Sequence, residues 1–301
     1  MKEQFEHKNF RADTLEVIEQ ANDIISKYAR QGFSLTLRQL YYQFVASDLI
    51  ENSQRSYKRL GSIVMSGRMA GLIDWSAIED RAREHKAWLI EEDEQSVLSG
   101  IEYGLSLDYW EPQDTYVECW VEKDALSDVI RRPCSKWRVP YMACKGYTSA
   151  SAAYEAGKRF KFHQSMGRKC VLLHLGDHDP SGLDMTRDNS DRINRFARTH
   201  GIEVQRLGLN MDQVEEYNPP PNFAKDTDSR WAEYEAEFGP DSWELDALEP
   251  SVIIGLIDEA VEKLIDIGVW DATRNDENYR RENLAKLHDN WDDVREFVES
   301  L

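Results

Sequence analysis

Apolar residues recur at helical spacing over residues 11–30, where Leu15, Ile18, Ala21, Ile24, Ile25 and Tyr28 share one face of a 3.6-residue period. Gly32 follows as a stop signal. Thr36 offers an N-cap for a second helix through about Ser47, and a third helix is expected from Ser53 to near Gly71. Leu72-Ile-Asp-Trp75 reads as a short wing strand. Three compact helices, the last one basic, fit a helix-turn-helix or winged-helix module.

Residues 76–111 read as an amphipathic helical connector. The period then changes. Residues 115–121 are β-branched and aromatic and predict a strand, with a helix following from about Lys123. Val139–Ala143 predicts a second strand, Ser149–Phe162 a helix, and Cys170–Leu175 a third strand. Leu183–Thr199 predicts a helix, and Glu203–Gly208 a fourth strand. This alternation argues for a mainly parallel sheet, with function gathered at the carboxyl ends of the strands. Residues 217–250 look irregular and acidic, with Pro219-Pro-Pro221. Residues 251–267 and 276–300 read as closing amphipathic helices.

Composition narrows the classes. No run approaches the ~20 apolar residues of a membrane span. The N-terminus, Met1-Lys-Glu-Gln-Phe-Glu-His7, is too polar for a secretory signal. Cys119, Cys134, Cys144 and Cys170 have neither C-x-x-C pairing nor zinc spacing and read as reduced thiols. The net charge of −19 is uneven. Residues 211–301 carry 25 acids against 8 bases, whereas residues 27–73 carry seven bases and two acids. A locally basic face on an acidic protein is therefore expected, and local charge is what meets phosphate.

The chemistry concentrates in Cys170-Val-Leu-Leu-His-Leu-Gly-Asp-His-Asp-Pro-Ser-Gly182. Asp177 and Asp179, two residues apart past a buried strand, point the same way if the chain stays extended. A hard divalent cation compensates such a pair, although Asp is also common in a plain polar turn. Glu122, after the first strand, can converge with them; alone it reads equally as a helix N-terminal acid. Asp184 is a further possible ligand. Glu118 is expected to face solvent, His174 to pack in the core and His178 to point away from the pair.

These residues resemble a family. A Glu after an apolar strand and a later D-x-D-P-x-G look like the TOPRIM domain of topoisomerases, primases and some nucleases. Leu37-Arg-Gln-Leu-Tyr-Tyr42 resembles the catalytic motif of the topoisomerase VI A-subunit and the meiotic double-strand-break transesterase. Val121-Glu-Lys-Asp-Ala125, Cys144-Lys-Gly-Tyr147 and Gly176-Asp-His-Asp-Pro180 follow in that family's order, and Trp243-Glu-Leu-Asp-Ala-Leu248 resembles a late segment of it. The resemblance spans roughly residues 30–250 and is nearest to the short orphan "mini" A-subunits of viruses and plasmids.

The resemblance implies an α/β chain in four parts. A winged-helix DNA-binding domain (1–90) carries the tyrosine. A connector (91–112) leads to a TOPRIM metal-binding domain (113–210) with a mainly parallel four-stranded sheet, and an acidic, mainly helical extension (211–301) closes the chain. It implies a type IIB-like DNA transesterase: Tyr42 as nucleophile forming a 5′-phosphotyrosyl link, Arg38 one helical turn before it, and Glu122, Asp177 and Asp179 holding Mg²⁺ or Mn²⁺. Arg55, Lys58, Arg59, Arg68 and Lys145 are the expected DNA contacts. Double-stranded DNA, a homodimer with the tyrosine of one subunit meeting the metal site of the other, and an ATPase B-type subunit acting in trans are the implied partners, since the chain has no P-loop. The implied setting is the cytoplasm of a bacterial, archaeal or virus-infected cell. Two other readings stay open: a TOPRIM nuclease that does not use Tyr42, and a catalytically silent DNA-binding subunit. Without the resemblance, Tyr41 and Tyr42 read as packed aromatic residues.

Overall fold

A computed structural model describes residues 2–78, 93–223 and 228–301. The N-terminal part contains helices α1 (Ala12–Arg30), α2 (Leu37–Ala46) and α3 (Gln54–Met69). The apolar stripe of α1 buries Ile18, Ala21, Ile25 and Tyr28. Helix α2 starts in a capping box, in which Thr36 and Gln39 bond each other's backbone, and α3 starts at Ser53, whose hydroxyl accepts from the Ser56 amide. These helices close over a core that includes Leu40, Tyr41, Tyr42 and Phe44.

Residues 72–75 do not form the expected wing strand. Gly71 turns the chain at φ +73°, and the Asp74 side chain accepts from the Ser76 amide, which starts a 3₁₀ turn at Trp75–Ala77 instead. Much of the expected connector helix, residues 79–92, lies outside the described residues; α4 (Glu94–Gly104) follows.

The second part holds a four-stranded parallel sheet, as the alternation predicts. Its elements are β1 (Thr115–Val121), α5 (Ser127–Lys136), β2 (Tyr141–Ala143), α6 (Ala150–Ser165), β3 (Lys169–Leu175), α7 (Pro180–Ala197) and β4 (Ile202–Gly208). The strand order is β2-β1-β3-β4. Helix α7 begins three residues before the expected Leu183, because Pro180 sits at its first position, where no N–H is needed, rather than ending structure there. Odd residues of β1 and β3, including Val117, Val171 and Leu173, face a core shared with α5; even ones, including Trp120 and Leu172, face α6 and α7. Each such fully buried side chain contributes about 1.5–3 kcal/mol.

The remainder is α8 (Met211–Tyr217), β5 (Asn222–Phe223), α9 (Trp231–Phe238), β6 (Asp241–Ser242), α10 (Pro250–Glu262), α11 (Ile267–Asp289) and α12 (Trp291–Glu299). This acidic region is not a separate layer. Leu245, Leu248, Ile253, Ile257 and Trp270 pack in the same core as β1 and β3. The two expected closing helices are three: Asp266 caps α11 at Ile267, ahead of the expected residue 276, and the chain breaks again at Asn290 before α12. Ala247 joins the N-terminal core, and Lys27 pairs with Glu249 at 2.6 Å. The segment 243–249 thus lies between the helical module and the sheet. Among the described residues, no helix is long and apolar enough to cross a membrane, and all four cysteines are unpaired.

Candidate functional site

The register β1–β3 sets Val121 beside Leu175, so the chain leaves both strands at one edge of the sheet. Glu122 follows directly; its amide bonds Leu175 O at 2.9 Å and its Oε2 accepts from the Asp177 amide at 3.0 Å. Asp177 Oδ1 accepts from the Leu245 amide at 2.8 Å, and Oδ2 lies 3.0 Å from Lys123 Nζ. Asp179 is the N-cap of α7, accepting from Gly182 N at 2.6 Å and Ser181 Oγ at 2.8 Å. Gly182 is required here: a Cβ would collide with the Asp177 carbonyl. The three carboxylates predicted from the sequence therefore line one cavity of about 490 Å³.

One oxygen of each carboxylate accepts from these amides, and among the described residues no three acidic, imidazole or thiol groups form a ready-made metal centre. The charge balance is nevertheless short of cations. Lys123 Nζ also meets Glu244 Oε2 and Asp246 Oδ1, both at 2.7 Å, so one ammonium serves three carboxylates. Burial raises the pKa of Asp177 to about 8, against the pull of Lys123 and with help from Glu122; burial also raises that of Glu122. Arg206 on β4 donates to the carbonyls of Gly176, Asp177 and Gly182 and stiffens the loop from beneath. Hard oxygen donors lining one cavity, two of them pushed toward neutrality by burial, fit a divalent cation of the Mg²⁺ or Mn²⁺ type.

A second cavity of about 460 Å³ adjoins, walled by Tyr41, Tyr42, Tyr57, Asn52 and Ser53, and shares Arg38, Asn222 and Glu244 with the first. Arg38 lies one turn before Tyr42 on α2, 3.4 Å from its hydroxyl and 2.6 Å from Glu244. Tyr42 is 3% exposed, and burial followed by the charges of Glu244 and Asp246 holds its phenol well above its ordinary pKa. The sequence placed Arg38 beside Tyr42. Lys123, Asn222, Glu244 and Asp246 were missed as site residues. The only signal for Lys123, Glu244 and Asp246 was the pair of motifs Val121–Ala125 and Trp243–Leu248; Asn222 lies in neither and carried no signal.

Other expected residues fall elsewhere. Glu118 is not solvent-facing but 3% exposed, held by Tyr116, Trp120 and Arg159. Asp184 is engaged by Arg187, Arg230 and Tyr147 rather than facing the carboxylates. His174 is in the core as expected, bonded to Thr186, and His178 turns to Tyr234. Arg55, Lys58 and Arg59 are exposed on one face of α3, with Arg59 3.6 Å from Asp13. Arg68 faces inward, its guanidinium donating to Trp75 O and Ile78 O, so it closes a turn. Lys145 is exposed at φ +59°, 3.2 Å from Asp124.

No protein-family model matches the chain, and no curated protein matches it in sequence.

Proposed function

We propose that this chain is a divalent-metal-dependent DNA-cleaving transesterase, built as a three-helix module that carries Tyr42 and a TOPRIM-type module that carries Glu122, Asp177 and Asp179. The single observation that supports it most is the shared wall: the tyrosine cavity and the carboxylate cavity meet at Arg38, Asn222 and Glu244. Glu122, Asp177 and Asp179 would hold the ion. When bound, the ion would stabilise the negative charge that develops on the phosphate and on the leaving 3′ oxygen. Tyr42 Oη attacks phosphorus as the bond to the 3′ oxygen breaks. The phenolic proton is lost and the 3′ oxygen gains one, leaving a 5′-phosphotyrosyl ester and a 3′-hydroxyl. Arg38, within reach of Tyr42 Oη, steadies the phenolate. Arg55, Lys58 and Arg59 present one basic face to the DNA backbone. The resemblance implies a homodimer in which Tyr42 of one subunit meets the metal site of the other, whereas here the two cavities adjoin within one chain. Each subunit would then carry a whole site, and a homodimer would supply the second that a double-strand break needs. An ATPase subunit in trans would supply any energy-driven gate.

One observation favours a second reading, a metal-dependent nuclease. Tyr42 is buried beside two carboxylates, an environment that opposes phenolate formation. Supercoiled plasmid incubated with Mn²⁺, with and without protease, separates the readings. The transesterase gives protein-linked 5′ ends that vanish in Tyr42→Phe and in Asp177→Ala. Free ends that survive Tyr42→Phe establish the nuclease, and intact plasmid leaves a silent DNA-binding subunit.

A further inference from the structure

The Glu244 carboxylate is held by more positive and polar groups than a surface glutamate attracts. Arg38 Nη2 lies 2.6 Å from both of its oxygens, Lys123 Nζ 2.7 Å from Oε2 and Asn222 Nδ2 2.7 Å from Oε1. The three donors come from α2, from the turn after β1 and from β5. They converge where the two cavities meet, with the Tyr42 phenol beside them.

We infer that Arg38, Lys123 and Asn222 form a phosphate-binding site in which Glu244 stands in for the phosphate of a phosphodiester. A carboxylate and a phosphodiester both carry one negative charge on two accessible oxygens, and both take charged N–H donors in the same way. Exchanging one for the other leaves the local charge unchanged. Adding a phosphate without removing Glu244 would set two anions against Arg38, which the surrounding acids Asp177 and Asp246 make worse. The phosphate that replaces Glu244 lies against Tyr42 on one side and opens toward Glu122 and Asp179 on the other. Glu244 therefore acts as an internal competitor that keeps the site closed until nucleic acid displaces it. This deepens the proposed function and rests on it for the identity of the phosphate.

The test reads binding rather than cleavage, so the two readings can fail separately. Inorganic phosphate is titrated against chloride at matched ionic strength into the full chain and into Glu244→Ala, following the thermal melt. The variant is expected to be stabilised by phosphate and to bind it at least about tenfold more tightly than the parent, with the gain lost in Arg38→Ala/Glu244→Ala. Binding of a short duplex in EDTA should tighten likewise, with a salt dependence steeper by about one phosphate contact. Phosphate binding gained without duplex binding keeps the site and removes the DNA reading. A folded variant that gains no phosphate affinity overturns the inference and leaves Glu244 a clamp between modules. If Glu244→Ala does not fold, Glu244→Gln replaces it, with the same gain expected and the same failure decisive.

Discussion

Glu118 and Glu122 stand four residues apart on one strand and its end, both buried, in opposite surroundings. Each Glu118 oxygen has two donors: Tyr116 Oη at 2.7 Å and Arg159 Nε at 2.8 Å on one, Trp120 Nε1 and Arg159 Nη2 at 2.9 Å on the other. One anion meets one cation, and the group lines neither cavity. Glu122 accepts a single backbone amide, and the nearest ammonium is already shared among Asp177, Glu244 and Asp246. A buried acid with every acceptor filled is part of the scaffold. A buried acid in a cluster short of cations, beside a cavity, is poised for a ligand that brings positive charge.

Exchange of the two residues should separate these roles most widely in activity. Glu122→Gln keeps the acceptor for the Asp177 amide, so its metal-free melting temperature should stay near that of the parent. Its cleavage rate should fall by about a thousandfold or more, on the order of 4 kcal/mol of transition-state stabilisation. Glu118→Ala should do the reverse. Breaking a buried pair costs about 3–5 kcal/mol, and the half-exposed Arg159 brings the expectation to roughly 2–3 kcal/mol. Denaturant melts and plasmid cleavage on the same two preparations decide it. A stable, fully active Glu122→Gln removes the metal role.

A smaller effect follows from Asp177. Its folded pKa is raised to about 8, by burial and by Glu122 against the pull of Lys123. The folded state therefore binds more protons than the unfolded one between about pH 4 and pH 8, and the stability this group contributes is lost as pH rises through that window. Asp177→Asn, which cannot ionise, should be more stable than the parent at pH 9 without metal, by about 1–2 kcal/mol, with the gap closing toward pH 5. Mg²⁺ should stabilise the parent at pH 8 and not the variant. Equal parent and variant curves across that range would remove the excess of negative charge on which the comparison rests.

The same contrast explains what the sequence disclosed. The parallel sheet was legible chiefly through its two central strands, whose β-branched, aromatic and apolar runs over Thr115–Val121 and Cys170–Leu175 are sustained, the second ended by Gly176. Glu122, Asp177 and Asp179 were legible because strand ends of a parallel sheet converge. Glu118 was misread because alternation alone cannot distinguish a solvent-facing acid from one filled by Tyr116 and Trp120 on its own strand. Asn222, Glu244 and Asp246 were not legible from periodicity: β5 and β6 are two residues each and the 3₁₀ turn at Leu245–Ala247 is three, too short for any pattern. Their role depends on chain packing across the two cores, which no local window contains.

The smallest predicted effect concerns the acid side of the same edge. His174 is fully buried, with Nδ1 2.8 Å from Thr186 Oγ1, and its pKa is lowered to about 3 by burial and then by Arg206. His178 lies 2.8 Å from Tyr234 Oη and is lowered to about 4 by the same causes. Both are neutral in the fold and protonate at about pH 6.5 in the unfolded chain. Their contribution to stability is present above that value and is lost as pH falls toward 4 and 3. Two histidines losing stability downward and one aspartate losing it upward place the metal-free optimum near pH 6.5. Replacing His178 by Phe should roughly halve the histidine part of the acid slope and leave the Asp177 limb unchanged. Saturating Mg²⁺ should flatten only the basic limb. Melts of parent and variant from pH 4 to pH 9 test both at once. Basic limbs that respond to the histidine change, or acid limbs that respond to Mg²⁺, would mean that the two sides of this sheet edge titrate as one unit and that the separation between scaffold and site does not hold there.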